Sequence, residues 1–179
     1  MFAFLSGKEK LVSAAPLSEV FRSLVGGTLS ILCLLLLSEW SGHLYIMAPF
    51  GASCVLLYAA SQSPLAQPRN IIFGHLISAG IGLIFLKIFG VSLWSIAFSV
   101  GTAIACMQLF KAVHPPAGAN PLVILLTAEH IYYGWDFLLF PVLLGSVILV
   151  CIAYVVNNIK AKQHWPMYGL GLTKTKTKP

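Results

Sequence analysis

Two short runs hold the residues with the most chemical promise. Pro49-Phe50-Gly51-Ala52-Ser53 and Pro116-Ala117-Gly118-Ala119-Asn120 share the pattern P-x-G-A-(S/N), 67 residues apart. Each opens an apolar stretch. Proline supplies no backbone N–H and disfavours helix at the residue before it, so each run reads as extended chain turning into a helix start. In the second run Pro115 adds a further restriction. Val113 to Pro115 should be extended, with Pro116 in the first turn of a helix reaching about Thr127. The first free N–H groups then belong to residues 51–53 and to 117–120, with the positive end of a helix dipole behind them. Small side chains let a solute approach, and Ser53 and Asn120 could each donate a hydrogen bond to it. Two such helix starts converging would suit a small anion. Small residues are also ordinary membrane-helix packing, and the proline ahead of them is what turns them into a helix start.

Two histidines lie in apolar surroundings, where ionisable groups point to function. His75 sits in "QPRNIIFGHLISAGIG" and His114 sits beside the second break. Each could bind the anion or take up a proton that travels with it. The plain alternative is a neutral ring satisfied by a carbonyl. Gln67-Pro68-Arg69-Asn70 opens a span, and Arg69 could draw an anion to the mouth of a pathway or simply pin the helix end. Lys111, three residues before His114, stands at the corresponding place in the other half, with Gln108 nearby. Enzyme chemistry finds little support: there is no HExxH, no GxSxG, no P-loop and no intramembrane acidic pair. No enzyme activity, metal or cofactor is expected, and the histidines are not spaced as a haem pair.

The elements that must position these residues are membrane helices. Of 179 residues, 58% are hydrophobic and 9% charged, against about 25% charged in an average soluble domain. Mean hydropathy is +0.88. No signal peptide stands out, so the first apolar segment should remain as a span. Cys33, Cys54, Cys106 and Cys151 lie singly in apolar stretches and read as small core residues. The net charge of +6 comes largely from Lys160, Lys162, Lys174, Lys176 and Lys178 after the last apolar run. A tail ending "TKTKTKP" suits an anionic cytoplasmic leaflet rather than nucleic acid.

Six apolar stretches follow one another: Phe21–Ser38, Leu44–Ala60, Asn70–Phe89, Ser92–Phe110, Ala112–Ala128 and Phe137–Asn157. The second and fifth are the ones broken by proline and glycine. The 67-residue offset also places Phe21–Ser38 on Ile88–Ala105 and Asn70–Phe89 on Phe137–Tyr154. The unit is span, broken segment, span, occurring twice. With the N-terminus inside and all six segments crossing, Lys8, Lys10, Arg22, Arg69, Lys111 and the lysine tail fall on the cytoplasmic side. Glu39, Glu129 and Asp136 fall outside, and Lys87 alone breaks the positive-inside rule, at a helix end where it can snorkel. Re-entrant broken segments would instead put Arg69 and Lys111 outside. Three crossings per repeat force the second repeat upside down. The expected fold is all-α, with six membrane segments as two inverted three-segment repeats. Inverted repeats with matching breaks point to a transport site near the midplane. The expected organisation is a cytoplasmic segment 1–18, a transmembrane domain 19–158 and a basic cytoplasmic tail 159–179. Within the domain the repeats cover about 21–89 and 88–156. Trp40, Trp94, Trp135 and Trp165 read as interface aromatics near span ends.

"PFGAS", "AQPRNIIFGH" and "HPPAGA", in this order, resemble the HPP family of integral membrane proteins, named for the motif at His114-Pro115-Pro116. The resemblance covers roughly residues 15–158. It implies a transporter, usually described with four membrane helices plus the motif-bearing segments. Cyanobacterial and plastid relatives are associated with nitrite transport. Some members carry a pair of CBS regulatory domains, which is not expected here. The expectation is a carrier of a small monovalent anion, nitrite foremost, in a bacterial inner membrane with both termini cytoplasmic. Its partners would be the inorganic anion and the lipid bilayer, and six short crossings are compatible with a homodimer. Nucleic acid is not an expected partner. Rival readings are an anion channel without alternating access, a membrane enzyme or electron-transfer subunit, and a structural protein.

Overall fold

Apolar stretches bounded by glycine, proline and serine become helices in turn. The structure, a computed structural model, describes residues 14–159 and 163–171. Six α-helices form: α1 (Leu17–Ser41), α2 (Ala48–Ala59), α3 (Pro68–Phe89), α4 (Leu93–Leu109), α5 (Asn120–Thr127) and α6 (Leu144–Asn158). There is no strand among the described residues, and each of the six apolar stretches holds one helix. Lys8, Lys10, Lys160, Lys162, Lys174, Lys176 and Lys178 lie outside the described residues.

Helix boundaries follow local chemistry. Gly42 ends α1 with φ 73°, a left-handed conformation, and its N–H returns to the Ser38 carbonyl. Ser92 and Ser95 form a reciprocal capping box at the start of α4, a device worth about 1 kcal/mol. Proline occupies the first turn of α2, α3 and α5, where its missing N–H costs nothing.

Length separates the helices into two kinds. A bilayer core takes about 20 helical residues. Leu17–Ser41, Pro68–Phe89 and the stretch Trp135–Asn158, which is kinked at Phe140, have 25, 22 and 24 residues and are apolar enough to cross. By contrast, α2 has 12 residues and α5 has 8. At 1.5 Å per residue these rise only about 18 and 12 Å, so both are half-helices, α2 preceded by extended chain and α5 by a 3-10 turn.

The second broken segment departs from the single helix expected from Pro116. Pro115–Ala119 winds as a 3-10 turn, and α-helix begins only at Asn120. The reason is Pro121, which has no N–H for the Ala117 carbonyl. That carbonyl instead accepts the Asn120 N–H and the Ser78 hydroxyl, the latter at 2.5 Å.

Hydrogen bonds fix how the segments run. Ser23 Oγ donates to the Tyr58 carbonyl (3.0 Å) and Tyr45 N–H to Ser38 Oγ (2.8 Å), so the first broken segment lies antiparallel along α1. Asn70 donates to the Val113 carbonyl (2.8 Å), Ser78 to Ala117, and Lys87 Nζ to the Tyr133 carbonyl (3.1 Å). The second broken segment therefore runs parallel to α3. Asn157 ties the end of α6 to the end of α2 through the Leu57 carbonyl.

Leu34, Phe50, Leu57, Ile71, Leu83, Ile124 and Leu149 build the core around α3. The outward residues of α1, such as Leu24, Leu32 and Leu36, are exposed, as lipid-facing side chains are. Lys87 reaches over the rings of Tyr132 and Trp135 at the helix end, as its snorkelling position requires. Trp165 does not behave as an interface aromatic. It is 1% exposed and buried against the bundle.

Candidate functional site

Ser53 on α2, His75 on α3, His114 just ahead of the 3-10 turn and Asn120 at the start of α5 meet in the interior. All four are fully buried. Close backbone approach makes this meeting possible. A Cβ on Gly74 of α3 would lie 2.7 Å from His114 Cβ and 2.9 Å from the Ala112 carbonyl, so only glycine admits the second segment there. On the other side, Gly145 of α6 receives the ring of Phe50.

The partners of each nitrogen determine its proton. His114 Nδ1 is 2.8 Å from the Leu65 carbonyl, which can only accept, so Nδ1 carries hydrogen. In the neutral ring Nε2 is then bare, and it accepts from Ser53 Oγ at 2.8 Å. His75 Nδ1 faces the Asn120 amide nitrogen at 3.2 Å. That same amide nitrogen donates to the His75 carbonyl at 3.1 Å, which fixes it as NH2. His75 Nδ1 is therefore bare, and its Nε2–H donates to Ser53 Oγ at 2.9 Å. The result is a chain of one polarity, from Asn120 through His75 and Ser53 to His114 and the Leu65 carbonyl. Ser53 has a second acceptor within reach, the Pro49 carbonyl at 3.1 Å. The rings stand edge to face, 5.1 Å between centroids, and Phe50 packs on His75 at 5.0 Å. Asn120 Oδ1 is the one side-chain polar atom of the cluster with no partner.

The other candidates distribute unevenly. Pro49, Phe50, Pro116 and Ala117 are buried around the cluster, while Gly118 and Ala119 are half-buried. Gly51, Ala52 and Pro115 face outward. Arg69 spends its guanidinium on the Phe110, Lys111 and Leu170 carbonyls, tying the start of α3 to the end of α4. Asn70 holds the Val113 carbonyl. Gln108 and Lys111 are exposed and stand away from the four buried side chains.

Sequence reading missed one component. Residues 163–171 fold back as a strap across the Arg69 end of the bundle. The Trp165 indole donates to the Ala66 carbonyl (3.2 Å), and Met167 N–H to Gln67 Oε1 (2.8 Å). The Tyr168 hydroxyl lies 2.6 Å from the Pro64 carbonyl and 2.8 Å from Asn70 Oδ1. Partial burial raises the Tyr168 pKa, with Arg69 pulling the other way. The strap thus grips both ends of the turn Pro64–Ala66, whose Leu65 carbonyl holds His114. The signal was present in "HWPMY", aromatic residues inside a basic tail.

A family model described as "HPP, transmembrane region" matches residues 12–166. The chain belongs to the HPP transmembrane family. Two curated relatives of this HPP protein come from Dictyostelium discoideum, both named as transmembrane proteins. One is 34% identical over 90% of this chain and 55% of its own length. The other is 35% identical over 69% of this chain and 45% of its own length. The HPP chain thus spans about half the length of these curated relatives. No solved structure matches it. The apolar spans and the family together make it an integral membrane protein.

Proposed function

We propose that this HPP protein is a carrier of a small monovalent anion, with nitrite the first candidate, and not an enzyme. The observation that carries the reading is the 2.8 Å bond between Ser53 and His114. It joins the start of one half-helix to the residue ahead of the other, deep inside an apolar bundle. Regular membrane helices have no need of such a junction. Broken helices meeting at mid-depth are the usual architecture of a transport site.

The same reading makes the fold six crossings in two inverted repeats. Two observations support it. The broken segments run in opposite senses, one antiparallel to α1 and the other parallel to α3, with α1 and α3 both starting at the Arg69 end. Contacts also exchange under the repeat. Ser78 touches Ala117, and Gly145 touches Phe50. The 67-residue offset carries 78 to 145 and 50 to 117. Each outer span therefore embraces the broken segment of the other repeat. We place the Arg69 end in the cytoplasm of a bacterial cell, with both termini there, by the bias of Arg22, Arg69 and Lys111 toward that end.

Ser53 and Asn120 are hydrogen-bonded to the histidines and not poised toward an open cavity, so this conformation is closed. Loading requires the half-helices to part, which frees the Ser53 hydroxyl, the Asn120 amide and the histidine N–H groups for the anion. A sealed junction favours alternating access over a continuous channel. The selection of nitrite rests on the family resemblance. Proteoliposome uptake of nitrite, nitrate, formate and chloride tests the reading: saturable flux of at least one is expected, and no flux of any ends it. Protein-free liposomes must be subtracted, because nitrous acid crosses lipid by itself.

A further inference from the structure

The buried cluster has room for one more proton, and only at one atom. His75 Nδ1 faces the Asn120 NH2, so a proton added there would oppose two donors. His114 Nε2 faces a hydroxyl, which can turn. If Nε2 gains a proton, it donates to Ser53 Oγ. The Ser53 hydrogen then swings to the Pro49 carbonyl, 3.1 Å away. Ser53 Oγ accepts from both rings through its two lone pairs, and His114 Nδ1–H keeps the Leu65 carbonyl. Every polar atom satisfied in the neutral cluster stays satisfied, and no heavy atom moves.

Charge says when that proton arrives. Facing His114 are Ser53 from α2, His75 and Gly74 from α3 and the Leu65 carbonyl, with Asn120 of α5 behind His75. Arg69 and Lys111, at the same end of the bundle, are both positive, and Tyr168 on the strap is neutral. Among the described residues every carboxylate is exposed: Glu19, Glu39, Glu129 and Asp136. An imidazolium at His114 would have no counter-ion among the described residues, and a bound anion would find no cation among the four buried side chains. Together they make a neutral pair, and burying a single charge is costly in a way that burying a pair is not. Linkage is reciprocal, so each ligand raises the affinity for the other.

We propose that His114 takes up one proton with each anion, making the protein an electroneutral proton–anion symporter whose proton site is His114 Nε2. The inference rests on the carrier reading above and adds the coupling ion. The Nε2 lone pair accepts H+ from hydronium on the loading side. On release the N–H bond breaks, the lone pair returns to nitrogen and the proton goes to water.

The test uses the full chain in proteoliposomes at mildly alkaline pH, where undissociated nitrous acid is scarce. Initial nitrite uptake is measured against protein-free liposomes under an imposed pH gradient or an imposed potassium–valinomycin potential. Uptake should rise severalfold with an inward proton gradient, since one pH unit is about a tenfold driving force. It should ignore the potential and carry in one proton per nitrite. Uptake that follows the potential and ignores pH overturns the inference and leaves the carrier reading standing. No uptake of nitrite, and none of nitrate, formate or chloride, above protein-free liposomes ends the carrier reading and the inference with it. His114→Gln should lose acceleration by the proton gradient, whereas His75→Gln should keep it even if slowed. Loss in both variants overturns the assignment to His114. Should His114→Gln fail to fold, the wild-type pH and potential arms decide.

Discussion

The segment beginning at Pro49 is α-helical from its first turn, whereas the one beginning at Pro115 winds as a 3-10 turn for five residues before α5 starts. They share a sequence pattern. The second carries an extra proline on each side of it, at 115 and 121, and each removes a backbone donor. The polar position differs in the same way. Ser53 bonds both imidazoles, while Asn120 bonds only His75 and leaves its Oδ1 without a partner. The first half-helix is thus the hub of the junction and meets its glycine neighbours through the rings of Phe50 and Tyr58, whereas the second meets Gly74 through its backbone and His114 Cβ. Two segments can share where the chain breaks and still divide the work between them.

The largest expected effect tests the close backbone approach of the second segment to α3. Gly74→Val would drive its side chain into His114 Cβ and the Ala112 backbone, which cannot yield as a flexible side chain could. We expect a loss of about 3 kcal/mol or more, seen as early thermal unfolding in detergent or failure to extract as a monodisperse protein. Gly51→Ala in the first segment should be neutral or slightly stabilising, since a Cβ there meets nothing within 4 Å. Equal sensitivity at the two sites would break the comparison. Next come the polar positions. Ser53→Ala strands His75 Nε2–H and His114 Nε2 in the interior, and should cost about 1–3 kcal/mol. Asn120→Ala strands only the acceptor His75 Nδ1 and also removes an unpartnered oxygen, so its cost should be smaller. Thermal unfolding of the two variants side by side measures the difference, and a larger loss for Asn120→Ala would reverse the roles assigned here.

Much of this was legible in the sequence because hydropathy and proline are local signals. All six helices lie where the apolar stretches predict, and the extended chain at His114 follows from the proline after it. The convergence of Ser53 with His114 was foreshadowed by the matching breaks, since both belong to segments that enter the bundle from opposite sides. Tertiary partnership was not legible. Nothing local shows that Ser53 would bond two histidines, that Asn120 would turn its amide to His75, or that Arg69 would spend its donors on three carbonyls. The strap was missed for the same reason: Trp165 at the end of a span reads as an interface aromatic until the backbone around Ala66 is in place to bury it.

The strap also sets the two segments apart, because it grips the turn that holds His114 and makes no hydrogen bond to α2. Trp165→Ala empties a fully buried site, so it should lower the melting temperature and also open the His114 side. A cysteine at Leu65, in a background without Cys33, Cys54, Cys106 and Cys151, should react faster with a membrane-impermeant maleimide in the Trp165→Ala variant. A cysteine at Gln62, exposed in the turn after α2, should not change. Tyr168 offers the smallest and most specific step. Its neutral hydroxyl is the form that bonds the Pro64 carbonyl and Asn70, and its pKa is raised above the free value of about 10. The contact is thus fully present below that value and is lost as pH rises through the higher folded pKa, since the unfolded phenol releases its proton first. Labelling at position 65 should be flat through neutral pH and climb only in alkali, beyond the maleimide's own pH dependence at position 62. In Tyr168→Phe that climb should vanish. A climb that persists without the hydroxyl would mean that another group releases the strap.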